Sequence, residues 1–298
     1  MKVPVTLLAG AALDAAFGDP PNAAHPVAWF GRAARLVDRV SPRSRAAGVL
    51  ATGALVGGVA LTTARGQRVL GRTVTGALVL GQATSRRTLL ARAAEVAGAL
   101  DADDLAEARR LLAHHLVSRD TSALDASEVA GATIESVAEN LSDGVVAPWC
   151  WYVLGGAPAV AAYRALNTLD GMWGYRTPRY AEFGWAAARG DDVANLLPAR
   201  LTALALVLAA GEGAPRAWLT WRRDRGLTDS PNAGHPMAAM AGALGVTLTK
   251  RGQYALGAGL PEERGAEPTA EDVRRAIALA DRAAWIALGA LVLVEARR

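Results

Sequence analysis

An all-α, multipass membrane-embedded helical protein with polar, re-entrant site loops is the fold this sequence predicts. Three observations carry that expectation. Of 298 residues, 52% are hydrophobic and only 20% are charged. The apolar residues gather into uncharged runs, some as long as the roughly 20 residues that cross a bilayer. Between the runs lie polar blocks rich in Asp, Asn and Arg and punctuated by Gly and Pro. Several such runs are hard to bury in a soluble core of this size, so about four to six membrane-embedded segments are expected. They form a single domain over residues 1–298.

Residues 46–64 make one uncharged run of spanning length, and residues 145–163 make another. Residues 69–85 are nearly as long, with Arg72 close enough to one end to snorkel. Residues 201–211 and 283–294 are shorter and need their flanks to cross. The stretch 3–17 has the length of a signal peptide, but Asp14 interrupts it and the polar block that follows marks it as a retained helix. The run 145–163 carries Pro148, Gly155, Gly156 and Pro158, all poor residues for an unbroken helix. A hairpin or re-entrant segment turning at Gly155 and Gly156 keeps the flanking polar blocks on one side of the membrane. Such a segment is allowed where protein covers its backbone. Arg32, Arg35, Arg39, Arg43 and Arg45 make their loop the best candidate for a cytoplasmic face.

Composition excludes several classes. There is too much apolar surface for a disordered chain, and Cys150 has no second cysteine with which to form an intrachain disulfide. The net charge of +4 is almost entirely arginine, since Lys2 and Lys250 are the only lysines. These bases are scattered without aromatic interleaving, which argues against nucleic acid as a partner. A phosphate-binding Walker loop, a dinucleotide glycine fingerprint and a zinc-spaced Cys/His cluster are all absent from the sequence.

Four polar blocks carry the chemistry. The first includes Asp19, Asn22 and His25, and the fourth includes Asp229, Asn232 and His235; they share the pattern Asp-x-Pro-Asn-Ala-x-His-Pro. Matching loops in two halves of a membrane protein are read either as an internal repeat flanking one site or as paired helix-capping turns. The two histidines are candidates for phosphate contact or proton transfer. In the second block, Asp125 followed by Glu128 fits a capping box, so a helix begins there. Glu128, Glu135 and Glu139 then fall within about 40° of one another around that helix, with Asn140 and Asp143 at its end. No Lys or Arg occurs from Asp120 to Tyr163. Such a stripe calls for a divalent cation or a distant Arg, and Mg²⁺ held by one or two carboxylates plus substrate phosphates is its natural form. The third block offers oxygen ligands (Asn167, Asp170, Asp191, Asp192, Asn195) beside anion clamps (Arg176, Arg179, Arg189, Arg200). That mixture suits a Mg²⁺–phosphate site or a set of paired salt bridges.

Taken in order, residues 18–26, 118–122, 132–144, 167–175, 183–200, 230–234 and 238–245 resemble the CobD/CbiB family of cobalamin biosynthesis, the adenosylcobinamide-phosphate synthases. The resemblance covers nearly the whole chain. It implies a multipass protein of the bacterial inner membrane, embedded in lipid, with its active site facing the cytoplasm. The implied reaction joins a carboxylate of adenosylcobyric acid to the amine of 1-amino-2-propanol O-phosphate, giving adenosylcobinamide phosphate and consuming ATP with Mg²⁺. Other late cobalamin-pathway membrane enzymes are implied as partners, and the corrinoid is substrate, not cofactor.

On that reading Glu135, Glu139 and Asp143 hold Mg²⁺–ATP, with Asp170 or Asp192 contributing, while Glu135 and Glu139 also count as catalytic. Arg119, Arg176 and Arg200 bind phosphates or the corrinoid carboxylate, with Asp120 beside Arg119. Asp19 or His25 takes the proton from the attacking ammonium. Asn22, Asn167, Asn195 and Asn232 orient substrate amides, His235 joins the binding set, and Trp173 and Trp185 lie against the corrin face. Two rival readings are a membrane phosphotransferase of the CDP-alcohol type, faintly echoed by Asp170-Gly171 with Asp191 and Asp192, and a non-catalytic scaffold for corrinoid enzymes.

Overall fold

The computed structural model describes residues 2–21, 23–259 and 267–297. The all-α expectation holds: among these residues the chain forms thirteen α-helices and one two-stranded hairpin. Three helical stretches are long and apolar enough to cross a membrane: Arg45–Leu70, Ala126–Trp173 and Ala270–Ala296. A fourth is added if Trp185–Ala194 and Leu196–Ala209 count as one broken span. That is the lower end of the expected number. The run at 69–85 falls short of spanning length, because Gly71 interrupts it and leaves a helix of 12 residues, Arg72–Ala83.

Contacts divide the chain into two compact units, each assembled from separate segments. The first comprises residues 1–85, 147–195 and 290–298. Its core is Ala34, Leu169, Trp173, Phe183 and Ala187. Backbones approach closely there: a Cβ on Gly48 would stand 1.9 Å from the Phe183 carbonyl oxygen, and one on Gly184 would stand 1.7 Å from that of Trp173. Asp38 ties the loop before Trp185 to helix Pro26–Val40, accepting hydrogen bonds from Arg43, Arg179 and Tyr180. Burial opposes ionisation of Asp38, but the two guanidiniums outweigh it and hold its pKa below the usual carboxylate value. Helix Ala147–Trp173 breaks at Gly156 (φ 68°, ψ −164°), with Pro158 just beyond. The sequence located that break correctly. It is a kink between two helical segments, with no intervening loop, in place of the expected hairpin.

The second unit comprises residues 86–146 and 196–289. At its centre lies helix Ala126–Leu141, which is buried on every side from Val129 to Ala138. Its Ala, Gly and Thr residues let neighbouring backbones come close, and Val129 and Ala132 pack into a core with Val96, Ala108 and Leu112.

The close approach at Gly48 yields a test. Gly48→Ala should destabilise the protein by about 3 kcal/mol, because backbone has to shift to admit the methyl group. Gly53→Ala, with nothing within 4 Å of its Cβ, should not lower the unfolding temperature. Thermal unfolding of both variants in detergent checks the contrast; equal midpoints would refute the packing account.

Candidate active site

The buried helix of the second unit starts with the capping box seen in the sequence. Asp125 accepts from the Glu128 N–H at 2.9 Å, and the Glu128 carboxylate accepts from the Asp125 N–H at 3.0 Å. The loop before it is pinned to helix Leu105–His115 by Arg109, whose Nε donates to the Leu124 carbonyl, and by the Thr121 hydroxyl, which donates to the Arg109 carbonyl. Ser136 on the buried helix donates to the Leu116 carbonyl at 2.8 Å. With both ends of the loop held, Arg119 faces Glu135, its Nη2 donating to Oε2 across 3.4 Å.

The opposite wall is the hairpin, strands Leu248–Lys250 and Tyr254–Leu256, joined through Gly252 at φ 72°. Lys250 and Tyr254 are directly paired across it, so their side chains share a face. Together these elements enclose a polar cavity of about 280 Å³ lined by Arg119, Glu135, Ser136, Glu139, Lys250 and Tyr254, among others. A second cavity of about 190 Å³ shares Arg119 and Lys250 and adds Asp120, Glu128 and Arg251. Lys250 makes no ion pair within 4.0 Å among the described residues. Burial, and then the adjacent Glu135 carboxylate, push the Tyr254 hydroxyl pKa up, so Tyr254 is a hydrogen-bond donor at neutral pH.

Thus the acidic stripe is neither bare nor continuous. Glu128 serves the cap and pairs with Arg251 at 2.7 Å. Glu135 is 6% exposed, and its Oε1 is sealed from solvent with no hydrogen-bond partner. Glu139 is exposed on the cavity wall. The compensating cations come from outside the helix. The expected metal set is not assembled: among the described residues no three His, Cys, Asp or Glu side chains are grouped to hold a metal ion. Asp143 lies in the π-helical turn Ser142–Val146 and does not line the cavity. Asp170 and Asp192 belong to the first unit. Glu135 is turned to Arg119, which leaves Glu139 as the exposed carboxylate on the cavity wall.

The other predicted residues fall into three groups. In the first unit Asp191 is buried and held by Asn167 Nδ2 at 3.2 Å and Asn195 Nδ2 at 3.0 Å, with Tyr163 donating to Asn195 at 2.8 Å. Asn167 and Asn195 therefore orient a carboxylate of the protein itself. Asp170 lies on the last turn of helix Ala147–Trp173, and Asp192 pairs with Arg189 at 3.0 Å. Trp173 is 1% exposed and packs on Phe183, so it belongs to the core and not to a corrin face. Trp185 is exposed beneath Arg45, and Arg176 is exposed on the loop.

The two matching histidine loops differ in structure, against the repeat reading. His25 caps helix Pro26–Val40, its Nδ1 accepting from the Val27 N–H, with Nε2 4.0 Å from Asp19. His235 lies inside helix Gly234–Leu244, with Nδ1 accepting from Trp221 Nε1 at 3.0 Å. In that loop Ser230, not Asn232, receives the free backbone N–H groups. Asn232 instead accepts from Arg200 at 3.3 Å. Asn22 lies outside the described residues.

Burial, and then the guanidiniums of Arg200 and Arg225, hold the His235 imidazole at about 4. The unfolded chain would bind a proton here near pH 6.5 and the folded one only near 4, so stability is lost as pH falls through that window. The loss should reach about 3 kcal/mol at most. Unfolding of wild type and His235→Gln between pH 7 and 4.5 tests this, because the variant should show a shallower decline.

Lys250 and Tyr254 were not anticipated. Their strands are three residues long and leave no periodic signal, and the one available cue was Lys250 as one of two lysines among 32 basic residues.

Comparison with known proteins agrees with the motif pattern. The family model described as CobD/Cbib protein matches residues 7–280. The cobalamin biosynthesis protein CobD of Mycobacterium tuberculosis is 44% identical over 304 residues, covering 99% of this chain and 96% of its own length. That of Chromobacterium violaceum is 41% identical, covering 99% and 97%. That of Geobacter metallireducens is 44% identical, covering 81% and 80%. No solved structure matches the chain.

Proposed function

The chain belongs to the CobD/CbiB family of cobalamin biosynthesis proteins, and from that premise we propose that it is an ATP-dependent amide ligase making adenosylcobinamide phosphate. Its substrates are adenosylcobyric acid and 1-amino-2-propanol O-phosphate. The observation that supports this reading best is the polar cavity in which Arg119 and Lys250 face Glu135 and Glu139.

A carboxylate is a poor electrophile at neutral pH. In this mechanism its oxygen attacks the γ-phosphorus of ATP, the bond to ADP breaks, and an acyl phosphate forms. The amine nitrogen then attacks the carbonyl carbon, inorganic phosphate leaves, and the amide remains. The ammonium loses one proton before attack and the nitrogen another afterwards. Phosphoryl transfer of this kind needs positioning and charge stabilisation more than a protein nucleophile. Arg119 and Lys250 hold phosphate oxygens, and Glu135 orients Arg119. Glu139 would hold the Mg²⁺ that arrives with the nucleotide, and the ion would supply charge neutralisation to the phosphates. Solvent water accepts both protons. In this reading the protein lies in the bacterial inner membrane with its active face toward the cytoplasm, the side that supplies ATP.

The phosphotransferase alternative needs the third-block aspartates free to bind metal, but Asp191 is occupied by Asn167 and Asn195. The test is direct. Detergent-purified protein, ATP, Mg²⁺ and the two substrates should yield adenosylcobinamide phosphate with ADP and phosphate, read by mass. Intact substrates with no product would exclude the ligase reading and leave the scaffold.

A further inference from the structure

The first unit contains a second kind of cavity, about 320 Å³ in volume and walled almost entirely by apolar side chains, including Phe30, Val59, Leu78, Val79 and Ala161. Its polar exceptions are Thr63, Gln82, Thr168 and Arg164, and no Asp or Glu lines it. Arg164 is the unusual member. It lies in the stretch Ala126–Trp173, which is apolar enough to cross a membrane. Its Nη1 donates to the Asn167 side-chain oxygen at 3.2 Å. Its Nε is sealed from solvent without a hydrogen-bond partner, and among the described residues the guanidinium has no carboxylate partner. A cation in an apolar segment is costly unless something neutralises it, so such a residue marks a ligand site with a specific anionic partner.

The cavity wall is continuous with apolar surface. Helix Arg45–Leu70 contributes Val59 and Thr63, and the most apolar part of that helix is only 11% buried. Leu61 beside it is 59% exposed, and Leu78, in the wall itself, is 50% exposed. A volume near the lower limit of ligand pockets suits a chain and a small head group better than a macrocycle.

We propose that this cavity binds one anionic membrane phospholipid, with its phosphate on the Arg164 guanidinium and an acyl chain along Val59, Leu78 and Val79. Charge complementarity selects the head group: a net anionic lipid neutralises Arg164, whereas a zwitterionic one brings a competing ammonium. The assignment does not rest on the ligase reading.

Native mass spectrometry of the full chain, released from detergent with equal phosphatidylglycerol and phosphatidylcholine, tests the assignment. The wild type should retain one phosphatidylglycerol in preference to phosphatidylcholine by about tenfold or more, the fold-change of one charge-assisted hydrogen bond. Arg164→Gln should lose the preference, and Ala161→Phe, which fills the cavity, should lose retained lipid of both kinds. Equal retention of the two lipids by the wild type would overturn the proposal, and that measurement needs no variant to fold. Displacement of the lipid by millimolar inorganic phosphate would assign the guanidinium to a soluble anion and overturn it equally.

Discussion

Glu139→Gln should lower the rate of adenosylcobinamide phosphate formation by about 100-fold or more, the usual loss when one group stabilising transferred charge is removed. The substitution keeps side-chain size and removes only the negative charge. Glu139 is exposed on the cavity wall, on the last full turn of the buried helix, so the fold should not suffer. Unfolding temperature and elution from a sizing column should match wild type. Glu107→Gln is the control: that carboxylate is paired with Arg110 outside the cavity and should turn over normally. If Glu139→Gln retained the wild-type rate, the placement of Mg²⁺–phosphate in this cavity would be wrong.

Lys250→Met should act on binding. Lys250 is a cation shared by both polar cavities, with no ion pair within 4.0 Å among the described residues. Losing one charged hydrogen bond to phosphate costs about 1.5–3 kcal/mol, or roughly 10- to 100-fold in affinity. The loss should appear as a raised KM for a phosphorylated substrate with a smaller change in kcat, the pattern of lost ground-state binding. Lys250→Arg, which keeps the charge, should recover part of the loss. A variant with unchanged KM for both ATP and the amine phosphate would remove Lys250 from the site.

These two residues show how unevenly the site could be read. Glu139 was visible because helical spacing aligned it with Glu135 and because the neighbouring sequence lacked basic residues. Lys250 was invisible: its role depends on a hairpin of three-residue strands that brings residues 250 and 254 against residues 119 and 135. Arg119 lines the same cavity, but its contact with Glu135 was not legible, since an arginine's distant contacts leave no periodic trace. Trp173 shows the opposite failure. Its place among polar blocks suggested a ligand-facing ring, yet Phe183 and the close approach at Gly184 bury it. The shared Asp-x-Pro-Asn-Ala-x-His-Pro pattern likewise produced two different local structures, because Pro26 begins one helix whereas Gly234 has already begun the other.

By itself, the sequence determined what depends on neighbours along the chain. That includes the helical class, the apolar stretches of spanning length, the capping box at Asp125 and Glu128, the break at Gly155-Gly156, and the motif order that marks the family. Each of these is decided by the order of side chains along the chain, the cap and the break by residues within a turn of one another. Only the tertiary structure decided which charges meet: Arg119 with Glu135, Arg251 with Glu128, Asp191 with two asparagines, and Arg164 in its apolar cavity. Electrostatic partnership depends on distances of a few ångströms between residues far apart in the chain.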